Sequence, residues 1–268
     1  MFLAQQPNRL WCFNMSFRAK MENAAQAKGS NIVLALDFPF EKPENRENLF
    51  HKAESVLEAV HPYICAVKIN HHLVLPLGLF DGVKRLVDKA HSLGLAAIMD
   101  CKANDIGSTN QVIAEYYYAA GFDALIANPF VGWEEGMKPI FDVAQRLGRG
   151  VILLAYMSHK GASEGYGQTV IDQETRRKTP QYVLFASKAL LWNADGVVVG
   201  ATYPEKIKEI HAILGEKIPI YSPGIGAQGG EIKTALKAGA LYLIVGRAIA
   251  QAPNPAETAR AIKELASI

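Results

Sequence analysis

The sequence predicts an α/β protein folded as a closed (β/α)8 TIM barrel, and three observations lead there. Short apolar runs recur at intervals of roughly 25 to 35 residues, stretches with helical spacing lie between them, and no GxGxxG follows the first run. The runs cover residues 32–36, 63–67, 95–99, 124–127, 151–155, 196–199, 218–221 and 241–245, which makes eight candidate strands. Near-continuous apolar strands suit a parallel sheet covered on both faces, and eight βα units can close into a barrel. Helical spacing is read over 49–60, 82–93, 109–120, 135–147, 180–192 and 256–266. A doubly wound open sheet is the runner-up, disfavoured because Asp37-Phe38-Pro39-Phe40 stands where its phosphate-binding glycines belong.

Length and composition agree with one such domain. At 268 residues, 50% of them hydrophobic, the chain can bury a large single core. Residues 1–30 read as a mixed polar N-terminal extension with a short helix near 17–27, and 31–268 as a single catalytic barrel domain. The 28 basic and 26 acidic residues leave a net charge of +2 without a basic tract, so a small ligand is expected rather than nucleic acid. Cys12, Cys65 and Cys101 lack CxxC spacing, which argues against a disulfide framework or a zinc site and for a reducing cytoplasm. No apolar run reaches the roughly 18 residues needed to span a membrane, and the first 30 residues lack the apolar block of a secretory signal.

A barrel builds its site at the carboxyl ends of its strands, so the residue that closes each run is informative. In order these are Asp37, Lys68 with Asn70, Asp100 with Lys102, Asn128, Ser158, Ser222 with Gly224, and Gly246 with Arg247. Any one of them could be an ordinary strand-end polar residue. Together they bring two aspartates, two lysines and an arginine to one mouth.

The run Asp100-Cys101-Lys102-Ala103-Asn104-Asp105-Ile106 is the densest part of this set. An extended strand through Lys102 aims Asp100 and Lys102 at one side and Cys101 at the other. Charges at a strand end are costly to desolvate, so the alternation of Lys68, Asp100, Lys102 and Asp105 makes sense if the groups neutralise one another or meet a charged ligand. After the seventh run, Ser222-Pro223-Gly224-Ile225-Gly226-Ala227-Gln228-Gly229-Gly230 exposes backbone amides to which an anion could come close. Gly246-Arg247 adds a guanidinium, and phosphate commonly binds the loops after the seventh and eighth strands of such barrels.

Carried by these motifs, the sequence from Asn31 onward resembles the orotidine 5′-monophosphate decarboxylase family. The signature D-x-K-x-x-D-I stands as Asp100, Lys102, Asp105 and Ile106, accompanied by Asp37, Lys68, the Met157-to-Ala162 segment, the Pro223-to-Gly230 loop and Gly246-Arg247. The resemblance implies a homodimeric, cofactor-free and metal-free barrel that converts orotidine 5′-monophosphate to uridine 5′-monophosphate and CO2 in de novo pyrimidine biosynthesis. It implies that Lys102 donates a proton to C6, that Asp100 sits where the leaving carboxylate lies, and that Asp37 and Lys68 contact the ribose hydroxyls. It further assigns Ser158 to the pyrimidine, Gln228 to a bridge between phosphate and pyrimidine, and Arg247 to phosphate, with Pro223 and Gly246 beside the substrate. Asp105 and Thr109 are implied to reach across the dimer interface into the partner's site.

Two other activities compete. A magnesium-dependent sister of the hexulose-6-phosphate synthase or ketogulonate-6-phosphate decarboxylase type shares the D-x-K-x-x-D pattern, but the Gln228 loop and Met157-Ser158 favour a nucleotide. A non-catalytic phospho-ligand binding protein would not need every charged position intact. Residues 163–179 read either as a lid over the pyrimidine side or as a solvated loop leading to a helix at Pro180. His71, His72 and His159 lack metal-ligand spacing, and Trp133 and Tyr116-Tyr117-Tyr118 read as packing or dimer contacts.

Overall fold

The structure, a computed structural model, describes residues 15–173, 175–226 and 230–267. Its elements in chain order are α1 (Phe17–Lys28), β1 (Ile32–Ala35), α2 (Arg46–Val60), β2 (Ala66–Asn70), α3 (His71–Leu77), α4 (Lys84–Ser92), β3 (Ala96–Ala103), α5 (Gly107–Ala119), β4 (Ala124–Ala127), α6 (Lys138–Leu147) and β5 (Gly150–Tyr156). There follow α7 (Ala162–Gly165), β6 (Thr169–Ile171), β7 (Lys178–Pro180), α8 (Gln181–Leu191), β8 (Gly196–Val199), α9 (Pro204–Leu214), β9 (Ile220–Pro223), α10 (Ile232–Lys237), β10 (Tyr242–Val245), α11 (Arg247–Ala250) and α12 (Pro255–Ala266). Parallel pairing in the order β1-β10-β9-β8-β5-β4-β3-β2 closes the expected barrel, while β6 and β7 form a separate antiparallel hairpin.

Strand alternation divides the core in two. Side chains such as Val33, Ala66, Ile98, Ile126, Ile152, Leu154, Val198 and Ile244 fill the barrel, and the opposite set packs beneath the helices. The period that turns Ala35, Ala66 and Ile98 inward brings Asp37, Lys68 and Asp100 to the top layer. Register fixes their heights, since Ala35 pairs with Lys68 and Asn70 with Asp100.

The amino end of the barrel is closed by α1, capped by the Ser16 side chain and ended by left-handed Gly29. Its Phe17, Met21 and Ala24 complete the inner cluster. Phe17 rests so close to Gly150 that a Cβ there would lie 2.4 Å from its ring. On the polar side Lys20 bonds Asp123 at 2.8 Å, and Asp123 also accepts from Arg149, His91 and the Ala97 N–H. Burial opposes the charge of Asp123, but the His91 and Lys20 partners hold its carboxyl below the usual range.

Two boundaries differ from expectation for identifiable reasons. The second strand begins at Ala66 rather than 63, because residues 61–63 form a 3-10 turn with Pro62, which has no N–H for a ladder. Lys68 and Asn70 therefore lie within β2 and not after it. The stretch read as one helix from residue 82 is a π turn, Gly78–Val83, running into α4. Between β5 and α8 the chain forms α7 and the β6–β7 hairpin where a loop was one expectation, and the following helix begins at the expected place, with Pro180 as its N-cap.

Candidate active site

A cavity of about 240 Å³ opens at the carboxyl ends of the barrel strands. It is lined by Asp37, Lys68, Asn70, Asp100 and Lys102 on one group of strands, and by Met157, Ser158, Pro223, Gly224, Gly246 and Arg247 on others. Below them Ala35, Ile126, Leu154, Val198 and Ile244 form an apolar floor, with Ile225 on the wall. These apolar residues were not named as site residues from sequence, although period 2 along each strand could have found them.

The charged side is a continuous row. Lys68 Nζ lies 3.9 Å from Asp37 Oδ1 and 2.7 Å from Asp100 Oδ2, and Lys102 Nζ lies 2.7 Å from Asp100 Oδ1. Both oxygens of Asp100 are thus taken by ammonium groups. Burial penalises the Asp100 carboxylate, yet Lys68 and Lys102 outweigh it and draw its pKa from 3.8 to about 2. Lys68 is buried as well, which works against its charge, but Asp100 and Asp37 raise its pKa above 10.5. Asn70 Nδ2 donates to Asp37 Oδ1 at 2.8 Å, while Asn70 Oδ1 accepts from the His72 N–H at the start of α3. Asp37 is therefore oriented from both β2 neighbours.

Asp100 and Lys102 meet as expected, but not along a regular strand. Lys102 has φ 52°, in the left-handed region, and the β3–β4 register shifts between Met99 and Ala103. The bulge re-aims Lys102 toward Asp100, and strain of this kind costs of the order of 1 kcal/mol or more. Cys101 does face away, its thiol directed to the Ile126 carbonyl at 3.5 Å.

Other expected residues fall in different places. Asp105 and Thr109 are exposed at the amino end of α5 and do not line this cavity, so the row within one chain ends on Asp37 rather than on Asp105. Ser222 is fully buried and donates to the Val199 carbonyl, a structural bond that removes it from the mouth. Asn128 caps the short turn that begins at Pro129. Gln228 lies outside the described residues. Among the described residues no group of three His, Cys, Asp or Glu side chains is placed to hold a metal ion, and no helix is long and apolar enough to cross a membrane.

Comparison with known proteins agrees with this geometry. The orotidine 5′-phosphate decarboxylase of Pyrococcus abyssi is 38% identical over 231 residues, covering 86% of this chain and 96% of its own length. That of Methanococcoides burtonii is 35% identical over 235 residues, with 88% and 96% covered. The crystal structure of orotidine 5′-monophosphate decarboxylase from Methanocaldococcus jannaschii, complexed with the inhibitor BMP, superposes with a TM-score of 0.73 at 32% identity, covering 88% of this chain and 98% of that one. The sequence profile of one family matches residues 30–262, nearly the whole barrel. The chain belongs to the orotidine 5′-phosphate decarboxylase / HUMPS family.

Proposed function

We propose that the Asp37, Lys68, Asp100 and Lys102 row carries out direct decarboxylation of orotidine 5′-monophosphate. The chain acts as a carboxy-lyase of pyrimidine biosynthesis, releasing CO2 and uridine 5′-monophosphate. The observation that carries this reading is the pairing of both Asp100 oxygens with lysine ammonium groups inside the cavity that Arg247 also lines.

Loss of CO2 from C6 leaves an electron pair in the ring plane, out of reach of the pyrimidine π system. Stabilisation must therefore come from fixed charge nearby. Lys102 is that charge: the C6–carboxylate bond breaks, the pair stays on C6, and the Lys102 ammonium gives C6 its proton. Asp100 holds Lys102 in place, and Lys68 holds Asp100. Asp37 and Lys68 take the ribose hydroxyls, Ser158 the pyrimidine, and Pro223, Gly246 and Arg247 the phosphate end, with Gln228 linking phosphate and base. Remote phosphate contacts supply binding energy that orients the reacting carbon.

The partner is a second copy of this chain, with Asp105 and Thr109 completing the neighbour's site. Their exposure at the start of α5, away from the cavity of their own chain, supports this. Residues 31–268 carry the catalytic residues, the N-terminal extension 1–30 adds α1 to the closed end of the barrel, and the enzyme works in the cytoplasm without a cofactor.

The decisive experiment follows the absorbance of orotidine 5′-monophosphate with purified protein in excess chelator. Undiminished turnover supports the reading. Strong inhibition by the chelator favours the magnesium-dependent sister activity, and binding of uridine 5′-monophosphate without turnover favours a binding protein. Mixing Lys102→Ala and Asp105→Ala subunits tests the shared site, since a hybrid dimer regains one intact site. No recovery after confirmed subunit exchange argues against Asp105 acting in trans.

A further inference from the structure

Asn110 is the most completely enclosed polar side chain near the exposed Asp105 loop. It is 0% exposed, on the first turns of α5, and it makes three hydrogen bonds. Its Oδ1 accepts from the Asp105 N–H at 3.2 Å, and its Nδ2 donates to the Asp105 carbonyl at 2.6 Å and to the Gly136 carbonyl at 3.0 Å. One amide thus satisfies both backbone groups of Asp105 and ties them to the loop after β4. A backbone pair held from both sides by a buried side chain has little freedom to turn.

The loop after β4 is itself rigidly placed against α5. A Cβ on Gly107 would lie 2.9 Å from the Glu135 backbone, so the two segments touch main chain to main chain. Glu135 sits at φ 51° to make this approach. The Asp105 carboxylate accepts from the next N–H, that of Ile106, at 2.7 Å, so the direction of its side chain follows from the backbone that Asn110 fixes.

We infer that Asn110 is the positioning residue for Asp105: it sets the angle at which that carboxylate is presented to the neighbouring subunit's active site. This rests on the proposed role of Asp105 in trans, and it deepens that role by naming the group that aims it. Asn110 touches no substrate. Its effect on the reaction passes through Asp105 alone.

The test uses hybrid dimers. Asn110→Ala leaves two carbonyls and an N–H without their partner, and misplacing Asp105 by about an ångström is expected to lower kcat/KM by about 100-fold. If Asn110 acts through Asp105, mixing Asn110→Ala with Lys102→Ala subunits restores activity, because one hybrid site has wild-type Lys102 and a correctly held Asp105. Mixing Asn110→Ala with Asp105→Ala subunits restores nothing, because every site then receives a damaged Asp105 loop. A merely structural defect in α5 would damage the barrel that carries Lys102 and give the opposite pattern, which would overturn the inference. So would Asn110→Ala with wild-type kcat/KM. Asn110→Ser, which retains a small polar group, is mixed in the same way should the alanine variant fail to fold. The Lys102→Ala and Asp105→Ala mixture is the reference: no recovery there fails the trans reading and this inference with it, whereas recovery there with the wrong grouping of Asn110 fails this inference alone.

Discussion

Lys68 Nζ lies 2.7 Å from Asp100 Oδ2, and the two side chains are only 6% and 9% exposed. Removing Lys68 leaves the buried Asp100 carboxylate with Lys102 alone and one oxygen without its charged partner, which costs about 1 to 3 kcal/mol. Lys68→Met is therefore expected to lower the urea-unfolding free energy by that order and to abolish turnover. The double variant Lys68→Met/Asp100→Asn should regain part of the stability and none of the activity. Strictly additive stability losses, measured as a double-mutant cycle, would show that the pair is not coupled.

The same pair predicts a pH dependence. Asp100 has a folded pKa of about 2, below its ordinary 3.8, so its contribution is fully present above the unfolded value and is lost as pH falls toward about 2. Lys68 is shifted upward from 10.5, so its contribution is complete below that value and lost as pH rises through the raised one. The stability difference between wild type and Asp100→Asn should be level from about pH 5 to 9 and shrink by about 2 kcal/mol in acid. Urea midpoints across pH measure it, and a difference that grows on acidification contradicts the assignment.

Much of this arrangement is legible in the sequence because period 2 and strand-end position suffice for it. Asp37, Lys68, Asp100, Ser158 and Arg247 follow apolar runs whose alternation decides which side they face, and all five line one cavity. Lys102 was legible as a neighbour of Asp100 but not as a left-handed residue in a bulge, since no glycine or asparagine marks its position. Ser222 misled for the converse reason: a strand-end hydroxyl looks the same in sequence whether it meets ligand or, as here, the Val199 carbonyl. The contribution of α1 to the barrel floor was not visible either, because Phe17, Met21 and Ala24 form a narrow stripe on an otherwise polar helix.

That stripe carries a stability prediction. Phe17→Ala removes a fully buried ring and is expected to cost about 3 to 5 kcal/mol. Gly150→Ala forces a methyl into the same ring and should cost about 1 to 3 kcal/mol. In the double variant the ring atoms that the methyl would meet are gone, while the Cβ of residue 17, 2.7 Å from the new methyl, stays, so the clash is relieved in part and the combined cost should fall below the sum. Independent additivity in thermal or urea unfolding would mean that α1 does not seat against β5 in solution.

The phosphate role proposed for Arg247, which lines the cavity, would separate binding from chemistry. A guanidinium on phosphate contributes about 1.5 to 3 kcal/mol as a charged hydrogen bond, so Arg247→Ala should lower kcat/KM for the nucleotide by about 10- to 100-fold. The loss should sit mainly in KM. With the nucleoside orotidine, which has no phosphate, the variant and wild type should react at similar rates. An equal loss on both substrates would remove Arg247 from phosphate binding.

Ser158 offers a test of how the pyrimidine side is held. Its carbonyl accepts from Thr202 Oγ1 at 3.0 Å, and the next carbonyl, that of His159, accepts from the Tyr203 hydroxyl at 2.9 Å. Gly200 lies directly beneath: a Cβ there would come within 2.5 Å of Ser158 Cα, so Gly200→Ala must displace the serine. Because the displaced atom is backbone, side-chain rotation cannot relieve the clash. Gly200→Ala is expected to lower kcat/KM for orotidine 5′-monophosphate by about 100-fold, and Tyr203→Phe, which loosens the same loop without pushing it, by a smaller factor. Neither should alter the phosphate dependence proposed for Arg247, so the ratio of nucleotide to nucleoside rates should stay near wild type. A Gly200→Ala protein with unchanged kinetics on both substrates would show that Ser158 takes no part in recognising the pyrimidine.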